Sequence, residues 1–104
     1  MNIYKETREM AQEALKEAEG DIDKAQDHLN EMIDGHEVCI YYGKAIQFCA
    51  DHDTSAGETY LDDCDSFYQK GDTFGKIACR IAYATLWDVA LGHLYELHQA
   101  TEAA

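Results

Sequence analysis

No proline interrupts the chain of 104 residues, and this absence constrains the fold more than any other feature. Proline is the strongest helix breaker among the amino acids, so its absence favours helices over loops. Apolar residues recur at intervals of three and four along most of the chain, as on the buried face of a helix. We therefore predict an all-α fold, a compact bundle of four or five helices in one domain over residues 1–104.

The first half of the chain predicts three helices. Residues 3–19 form the first, which Gly20 ends. Asp21 caps the second helix, which ends near Gly35. The third covers residues 36–50, and its spacing of three and four places four apolar residues on one buried face: Cys39, Tyr42, Ile46 and Cys49.

The second half of the chain predicts a loop and two helices. Residues 51–57 are rich in Asp, Ser and Gly and predict the loop. A fourth helix over residues 58–70 buries Leu61, Cys64 and Phe67. We expect Asp72 or Thr73 to cap the last helix, which runs from about residue 74 to 100. Glycine lacks a side chain, so we also expect Gly35 and Gly43 to allow another helix to approach closely.

The last helix is apolar on nearly all sides. Only Arg80 and Asp88 carry charge between Ile77 and Tyr95. A helix of this kind either lies at the centre of its domain or is shared with a second copy of the chain. Both interpretations stay open, and the second predicts a homodimer through residues 77–97.

Acidic residues outnumber basic residues, and the formal net charge is −13 at pH 7. Residues 6–37 contain eleven acids against three bases, and residues 51–72 contain seven against one. Such a surface repels phosphate groups, which argues against direct binding of nucleic acid or anionic membranes. It favours a basic partner, such as a protein surface that normally holds nucleic acid.

Many of these acids recur every fourth residue on one side of a predicted helix. Like charges at this spacing cost a few tenths of a kcal/mol per pair. We predict that these rows, and a second acidic cluster further along, bind a partner. The residues are Glu9, Glu13, Glu17, Asp23, Asp27 and Glu31 in the rows and Asp51, Asp53, Glu58, Asp62, Asp63 and Asp65 in the cluster.

Carboxylates on successive helical turns are about 6 Å apart along the axis. A row of them can imitate the phosphates of a DNA strand and occupy a basic groove, so the chain is a candidate DNA mimic. The alternative is a solvated acidic face that only keeps the protein soluble.

The sequence also bears on three other kinds of site: a calcium site, a zinc site and a catalytic site. Residues 51–62 have the ligand spacing of a calcium-binding EF-hand loop, although Ala56 replaces the usual turn glycine. Pairs of His and Cys at residues 36 and 39 and at 49 and 52 resemble zinc half-sites, but on one helix they are too far apart to share a metal. No catalytic motif is present, so we expect neither an enzyme nor a cofactor.

The N-terminal residues are charged and amphipathic from Lys5 onward, without the apolar stretch of a secretory signal. We therefore expect a cytoplasmic protein whose four cysteines are reduced.

Residues 11–29 resemble the last two helices of a ubiquitin-associated domain. The resemblance lies in the turn Gly20-Asp21-Ile22, followed by Ala25 and Leu29. It implies a helical adaptor that binds another protein through apolar residues near Gly20.

A second resemblance covers more of the chain. The segments that carry it are Asp34-Gly35-His36-Glu37-Val38-Cys39-Ile40-Tyr41-Tyr42, Lys44-Ala45, Gly57-Glu58, Leu61-Asp62-Asp63 and Ile81-Ala82-Tyr83. These are similar to small acidic proteins of tailed phages and prophages, a group that includes anti-CRISPR and anti-restriction proteins. The resemblance implies a stoichiometric inhibitor, made in the bacterial host cytoplasm, that docks on a basic nucleic-acid-binding protein such as a CRISPR effector subunit.

Overall fold

The computed structural model describes residues 1–62 and 73–103, with the side chains of residues 1–59 and 73–101. The regular structure in these residues is entirely helical, which confirms the predicted all-α class and the long apolar C-terminal helix. The helices are α1 (Ile3–Glu17), α2 (Ile22–Asp34), α3 (Glu37–Ile40), α4 (Tyr42–Asp51), α5 (Ser55–Asp62) and α6 (Phe74–Ala103).

The backbone contacts divide the chain into two units. Unit 1 comprises Met1–Met32 and Trp87–Ala104, and unit 2 comprises Ile33–Leu86. The prediction of one domain over residues 1–104 stays a prediction.

Unit 1 buries one face of each of its first two helices. On α1 the fully buried residues are Thr7, Ala11 and Ala14, at spacings of three and four. On α2 they include Ala25 and Leu29, four residues apart. Both buried faces therefore follow the intervals of three and four that the sequence pattern predicts for helices.

A Schellman motif ends α1, where the sequence predicts that Gly20 ends the helix. The Gly20 N–H donates to the carbonyl of Leu15 and the Glu19 N–H to that of Lys16, each at 3.1 Å. These two bonds satisfy carbonyls that the end of a helix leaves unpaired. The backbone is left-handed at Gly20, with φ 86°, and also at Glu19, with φ 53°. Glu19 therefore adopts a conformation that glycine adopts at lower cost.

Two predicted helix caps are confirmed. The carboxylate of Asp21 accepts hydrogen bonds from the N–H groups of Asp23 (3.0 Å) and Lys24 (3.2 Å) at the start of α2. The hydroxyl of Thr73 accepts one from the N–H of Lys76 at 3.3 Å at the start of α6. Each bond pairs a donor that has no partner within its helix.

The predicted third helix is divided at Tyr41, and its predicted apolar face is only partly buried: Cys39 and Cys49 are half-buried, whereas Tyr42 and Ile46 are exposed. Tyr41 has extended backbone angles (φ −96°, ψ 121°), which separates α3 from α4. The interruption changes which residues share a face on either side of it. Tyr42 is 50% exposed and Ile46 is 38% exposed, whereas Ala45 and Phe48 are buried.

The predicted loop over residues 51–57 is shorter in the structure, because α5 begins at Ser55. Asp53 starts the helix early: its carboxylate accepts from the N–H and the hydroxyl of Ser55, at 3.0 and 2.6 Å. This local turn directly precedes α5 and fixes Ser55 as its first residue. The rest of the predicted fourth helix, with Cys64 and Phe67, lies outside the described residues.

The close approach expected at Gly43 occurs instead at Gly57. A β-carbon built on Gly43 meets no atom within 4 Å. A β-carbon on Gly57 would collide with the hydroxyl of Thr85 and lie 2.9 Å from the carbonyl oxygen of Ile81. The backbone of α5 therefore rests directly on α6 within unit 2.

One face of α6 is buried along most of the predicted apolar segment. Ala82, Leu86, Ala90 and Leu94 follow at every fourth residue, and none has exposed surface. The residues that cover this face belong to the same chain. A second copy is therefore not needed to explain why the face is buried. The homodimer through residues 77–97 stays a prediction. Among the described residues, no helix has the length and apolarity needed to cross a bilayer.

We expect Gly57→Ala to lower the free energy of unfolding by about 1–3 kcal/mol, because the added methyl group overpacks the contact between α5 and α6. Thermal or urea denaturation followed by circular dichroism measures the change. Gly43→Ala is the matched control within the same unit. It fills open space on α4 and should gain about 0.5–1 kcal/mol from helix propensity. Equal effects of the two substitutions would contradict the close approach at Gly57.

We expect Glu19→Gly to raise the free energy of unfolding by about 0.5–1 kcal/mol, since it relieves a left-handed residue that carries a β-carbon. The melting temperature should rise by several degrees, at about 4–8 °C per kcal/mol for a domain of this size. Glu19→Ala removes the same charge and keeps the β-carbon, so it should not stabilise to the same degree. Equal stabilisation by both variants would identify charge as the cause.

Candidate acidic interface

The first predicted row lies on the solvent side of α1. Glu9, Glu13 and Glu17 occupy successive turns, and all three side chains are exposed. Neighbouring carboxylates are therefore about 6 Å apart along the helix axis.

The second predicted row lies on α2 in the same unit. Asp23, Asp27 and Glu31 are exposed and also follow at every fourth residue. Asp34, in the last turn of the same helix but within unit 2, is also exposed. The structure thus leaves both rows open to a partner.

The two rows come together at Glu17. Its carboxylate oxygen lies 3.9 Å from Nδ1 of His28, which is the residue next to Asp27 on α2. The pair forms an ion pair when His28 is protonated. This contact brings the end of the α1 row beside the middle of the α2 row.

The α1 row is less negative than its spacing predicts. Lys16 lines the same surface groove as Glu9, Glu13 and Glu17. Counting the whole helix, α1 has four acids and three bases, whereas α2 has four acids and one base. The α2 row is therefore the stronger anionic surface of unit 1.

The described members of the second cluster lie in unit 2, and all are exposed. Asp51 ends α4 and accepts a hydrogen bond from the side-chain amide of Gln47 at 2.9 Å. Asp53 accepts two hydrogen bonds from Ser55, one from its hydroxyl and one from its N–H. Both lower the pKa of the Asp53 carboxyl group, and the bond from the hydroxyl has the larger effect. Glu58 projects from the first turn of α5. These two aspartates therefore also stabilise local structure.

The remaining members of the cluster are described only in part. Asp62 is the last residue of α5, and its side chain is not among those described. Asp63 and Asp65 lie outside the described residues.

The structure does not contain the calcium loop that the spacing of residues 51–62 suggests. Eight of the twelve residues, Ser55–Asp62, are helical, and a calcium-binding loop requires an extended turn at its centre. The hydroxyl of Ser55 is already bonded to Asp53, the other candidate ligand beside it. The calcium interpretation is therefore wrong for this segment.

The candidate zinc ligands have other roles. Nδ1 of His36 accepts a hydrogen bond from the Val38 N–H at 3.2 Å and caps α3. The Cys49 thiol donates to the carbonyl of Ala78 at 3.6 Å, and His52 packs on the ring of Phe48. Within residues 1–62 and 73–103, no three His, Cys, Asp or Glu side chains converge in a way that would hold a metal ion.

A pocket that the sequence does not reveal lies in unit 2. It has a volume of about 280 Å³, and it is lined by Asp34, Cys39, Cys79, Arg80 and Tyr83. Burial, together with smaller effects of the nearby Cys79 and Asp34, raises the pKa of the Cys39 thiol to about 12. Burial also raises the pKa of Cys79. These thiols are protonated at neutral pH, which makes them poor nucleophiles.

We expect the alkylation of Cys39 by iodoacetamide to accelerate with pH up to about pH 12, because the reaction needs the thiolate. Peptide mass spectrometry at a series of pH values measures the rate at this residue. The control is the protein in guanidinium chloride, where the rate should level off near the ordinary pKa of 9.0. A plateau near pH 9 in the folded protein would contradict the burial of this thiol. By linkage, the thiol's contribution to stability is complete below pH 9 and is lost as the pH rises towards 12.

The turn near Gly20 borders a surface groove in unit 1. Its lining includes the apolar side chains of Leu15 and Leu97 together with Gln12 and Thr101. This groove is where an adaptor of the ubiquitin-associated type would make its apolar contact.

The comparisons with known proteins add nothing to the geometry of the acidic interface. The chain matches no protein-family model, no curated protein and no solved structure.

Proposed function

We propose that this protein is a stoichiometric binding inhibitor that acts without catalysis. It docks its acidic surface on a basic protein that normally holds nucleic acid. The observation that carries the proposal is the exposure of both rows in unit 1 and their meeting at Glu17 and His28.

The spacing of the rows supports imitation of DNA. Carboxylates about 6 Å apart on each helix present a series of negative charges to lysines and arginines of a nucleic-acid groove. The carboxylates take the place of the DNA phosphates. The protein therefore occupies the groove as a DNA mimic and excludes the nucleic acid by competition.

The α2 row makes the stronger contribution to docking. Its carboxylates have fewer basic neighbours on their own helix than those of α1, where Lys16 lies within the row. Attraction between such a surface and a basic partner accelerates association and weakens as salt is added.

The proposed target is a component of a bacterial defence system. The sequence resembles acidic proteins of tailed phages, a group that includes anti-CRISPR and anti-restriction proteins. We therefore place the protein in the host cytoplasm as a phage-encoded inhibitor, with a CRISPR effector subunit as the first candidate target.

We expect the double variant Asp27→Lys, Glu31→Lys to lose inhibition by about tenfold or more, because it turns two attractive charges of the α2 row into repulsive ones. The assay measures DNA cleavage by a panel of purified CRISPR effectors and restriction enzymes at increasing inhibitor concentration. The same reversal at Glu13 and Glu17 of α1 should have a smaller effect.

The matched control is the double variant Asp88→Lys, Glu96→Lys. It makes the same change in net charge at two exposed positions on α6 that belong to neither row. It should retain inhibition to within about threefold, an effect of long-range charge alone. Wild-type inhibition by the α1 and α2 double variants would contradict acidic docking, and no inhibition of any enzyme by the wild type would contradict this class of target.

An adaptor of the ubiquitin-associated type is the second candidate. The groove beside Gly20, with Leu15 and Leu97, favours it because its apolar lining suits a partner side chain. Salt distinguishes the two candidates: an apolar contact persists at high ionic strength, whereas acidic docking weakens.

A further inference from the structure

His28 lies where the two acidic rows of unit 1 meet. Its Nδ1 is 3.9 Å from a carboxylate oxygen of Glu17, and the two side chains are 38% and 52% exposed. It is the only histidine on α1 or α2. The other charged side chains of these helices are Asp, Glu, Lys and Arg, which ordinarily keep their charges near neutral pH. Histidine, in contrast, is the side chain that ordinarily changes its charge between about pH 5 and 8.

The charges around His28 come from α1 and from its own helix. The group that faces it from α1 is the carboxylate of Glu17. On α2, Lys24 lies one turn before it, Asp27 directly precedes it and Glu31 lies three residues after it. All four of these side chains are exposed. A protonated imidazole at this position therefore has three acids and one base as neighbours, and two of the acids belong to the α2 row.

The helix α6 packs on the other flank of α2. The side-chain amide of Gln26 donates a hydrogen bond to the hydroxyl of Tyr95 at 3.0 Å. Gln26 and His28 are two residues apart, so their side chains point about 200° apart around the helix axis. The buried residues Ala25 and Leu29 lie between these two flanks. His28 therefore faces α1 and solvent, on the flank away from Tyr95.

Protonation of His28 changes the acidic surface in two ways, and both weaken the attraction for a basic partner. It adds a positive charge where the rows meet, and this charge repels the lysines and arginines of the partner. It also completes the ion pair with Glu17, whose negative charge is then partly offset. Two unit charges about 6 Å apart in water interact by slightly more than RT, so each partner base beside the protonated imidazole weakens binding by about threefold.

We propose that His28 makes acidic docking sensitive to pH, so that the rows bind a basic partner at about pH 8 and release it as the pH falls towards about 5.5. The proton balance gives the direction of the effect. A basic partner binds the form with the neutral imidazole more tightly, so docking releases a proton and added protons oppose docking. The inference rests on the proposed function and adds the regulation of the same site.

Binding of decalysine to the full-length protein tests the proposal, with fluorescence anisotropy of a rhodamine label as the readout. Lysine side chains stay charged throughout the range, so the peptide itself does not titrate. The first series is measured at about 0.01 M salt, where screening is weak. Wild-type binding should weaken by about threefold or more between about pH 8 and about pH 5.5. At about 0.15 M salt the same change in pH should have a smaller effect.

Two variants of His28 separate its charge from its shape. His28→Gln stays neutral and should lose most of the pH dependence, whereas His28→Lys stays charged and should bind at the high pH about as weakly as the wild type does at the low pH. The matched control is His98→Gln, which removes a half-buried histidine of α6 in the same unit and should keep the wild-type dependence.

NMR of the imidazole signals provides a measurement that does not depend on the folding of any variant. Adding decalysine to the wild type should move the titration midpoint of His28 to lower pH, because binding and protonation oppose each other. The midpoint of His98 should move less.

Equal pH dependence in His28→Gln and the wild type, or a His28 midpoint that decalysine leaves unchanged, would overturn the pH control. Decalysine binding that the double variant Asp27→Lys, Glu31→Lys weakens would in that case still support acidic docking. Failure of the proposed function has a different signature. If the wild type does not bind decalysine at the high pH, or if this double variant binds it equally well, docking on the rows is refuted and the pH control with it.

Discussion

Alanine is the most frequent buried hydrophobic residue in both units, and the rest of the structure depends on the close packing that this allows. Nine of the sixteen buried hydrophobic residues among those described are alanines. Short side chains let helix backbones approach, as Gly57 does at α6. Each alanine also removes less apolar surface from water than a leucine would, so the core contributes less per residue. Stability therefore depends on shape more than on buried volume.

Because such a core contributes little per residue, the repulsion within the acidic rows lowers the free energy of unfolding noticeably. Like charges on successive turns repel by a few tenths of a kcal/mol per pair, and a large net charge favours expanded states of the chain. On α1 the position of Lys16 within the row reduces this cost, whereas α2 has only Lys24 among its acids. The least compensated helix is thus the one on which acidic docking depends most.

Periodicity and capping residues were sufficient to predict α1, α2 and α6, because their buried faces repeat without interruption and Asp21 and Thr73 are ordinary caps. The break at Tyr41 was not predictable, since neither glycine nor proline marks it. Tyr42 and Ile46, which follow the break, are exposed although the sequence pattern placed them on an apolar face. Exposure of the acidic rows followed from the polar face of each helix. The contact of Glu17 with His28 and the pocket around Cys39 join segments distant in sequence, which spacing along the chain does not reveal.

The protonated thiols of unit 2 bear on how the protein withstands air and disulfide reagents. Thiol–disulfide exchange proceeds through the thiolate. With a pKa of about 12 in place of 9.0, Cys39 has a thiolate population at neutral pH about a thousandfold smaller than that of an ordinary cysteine. Cys49 and Cys79 are shifted in the same direction. These three residues should therefore be slow to form covalent cross-links between molecules, even when the protein is concentrated or stored without a reductant.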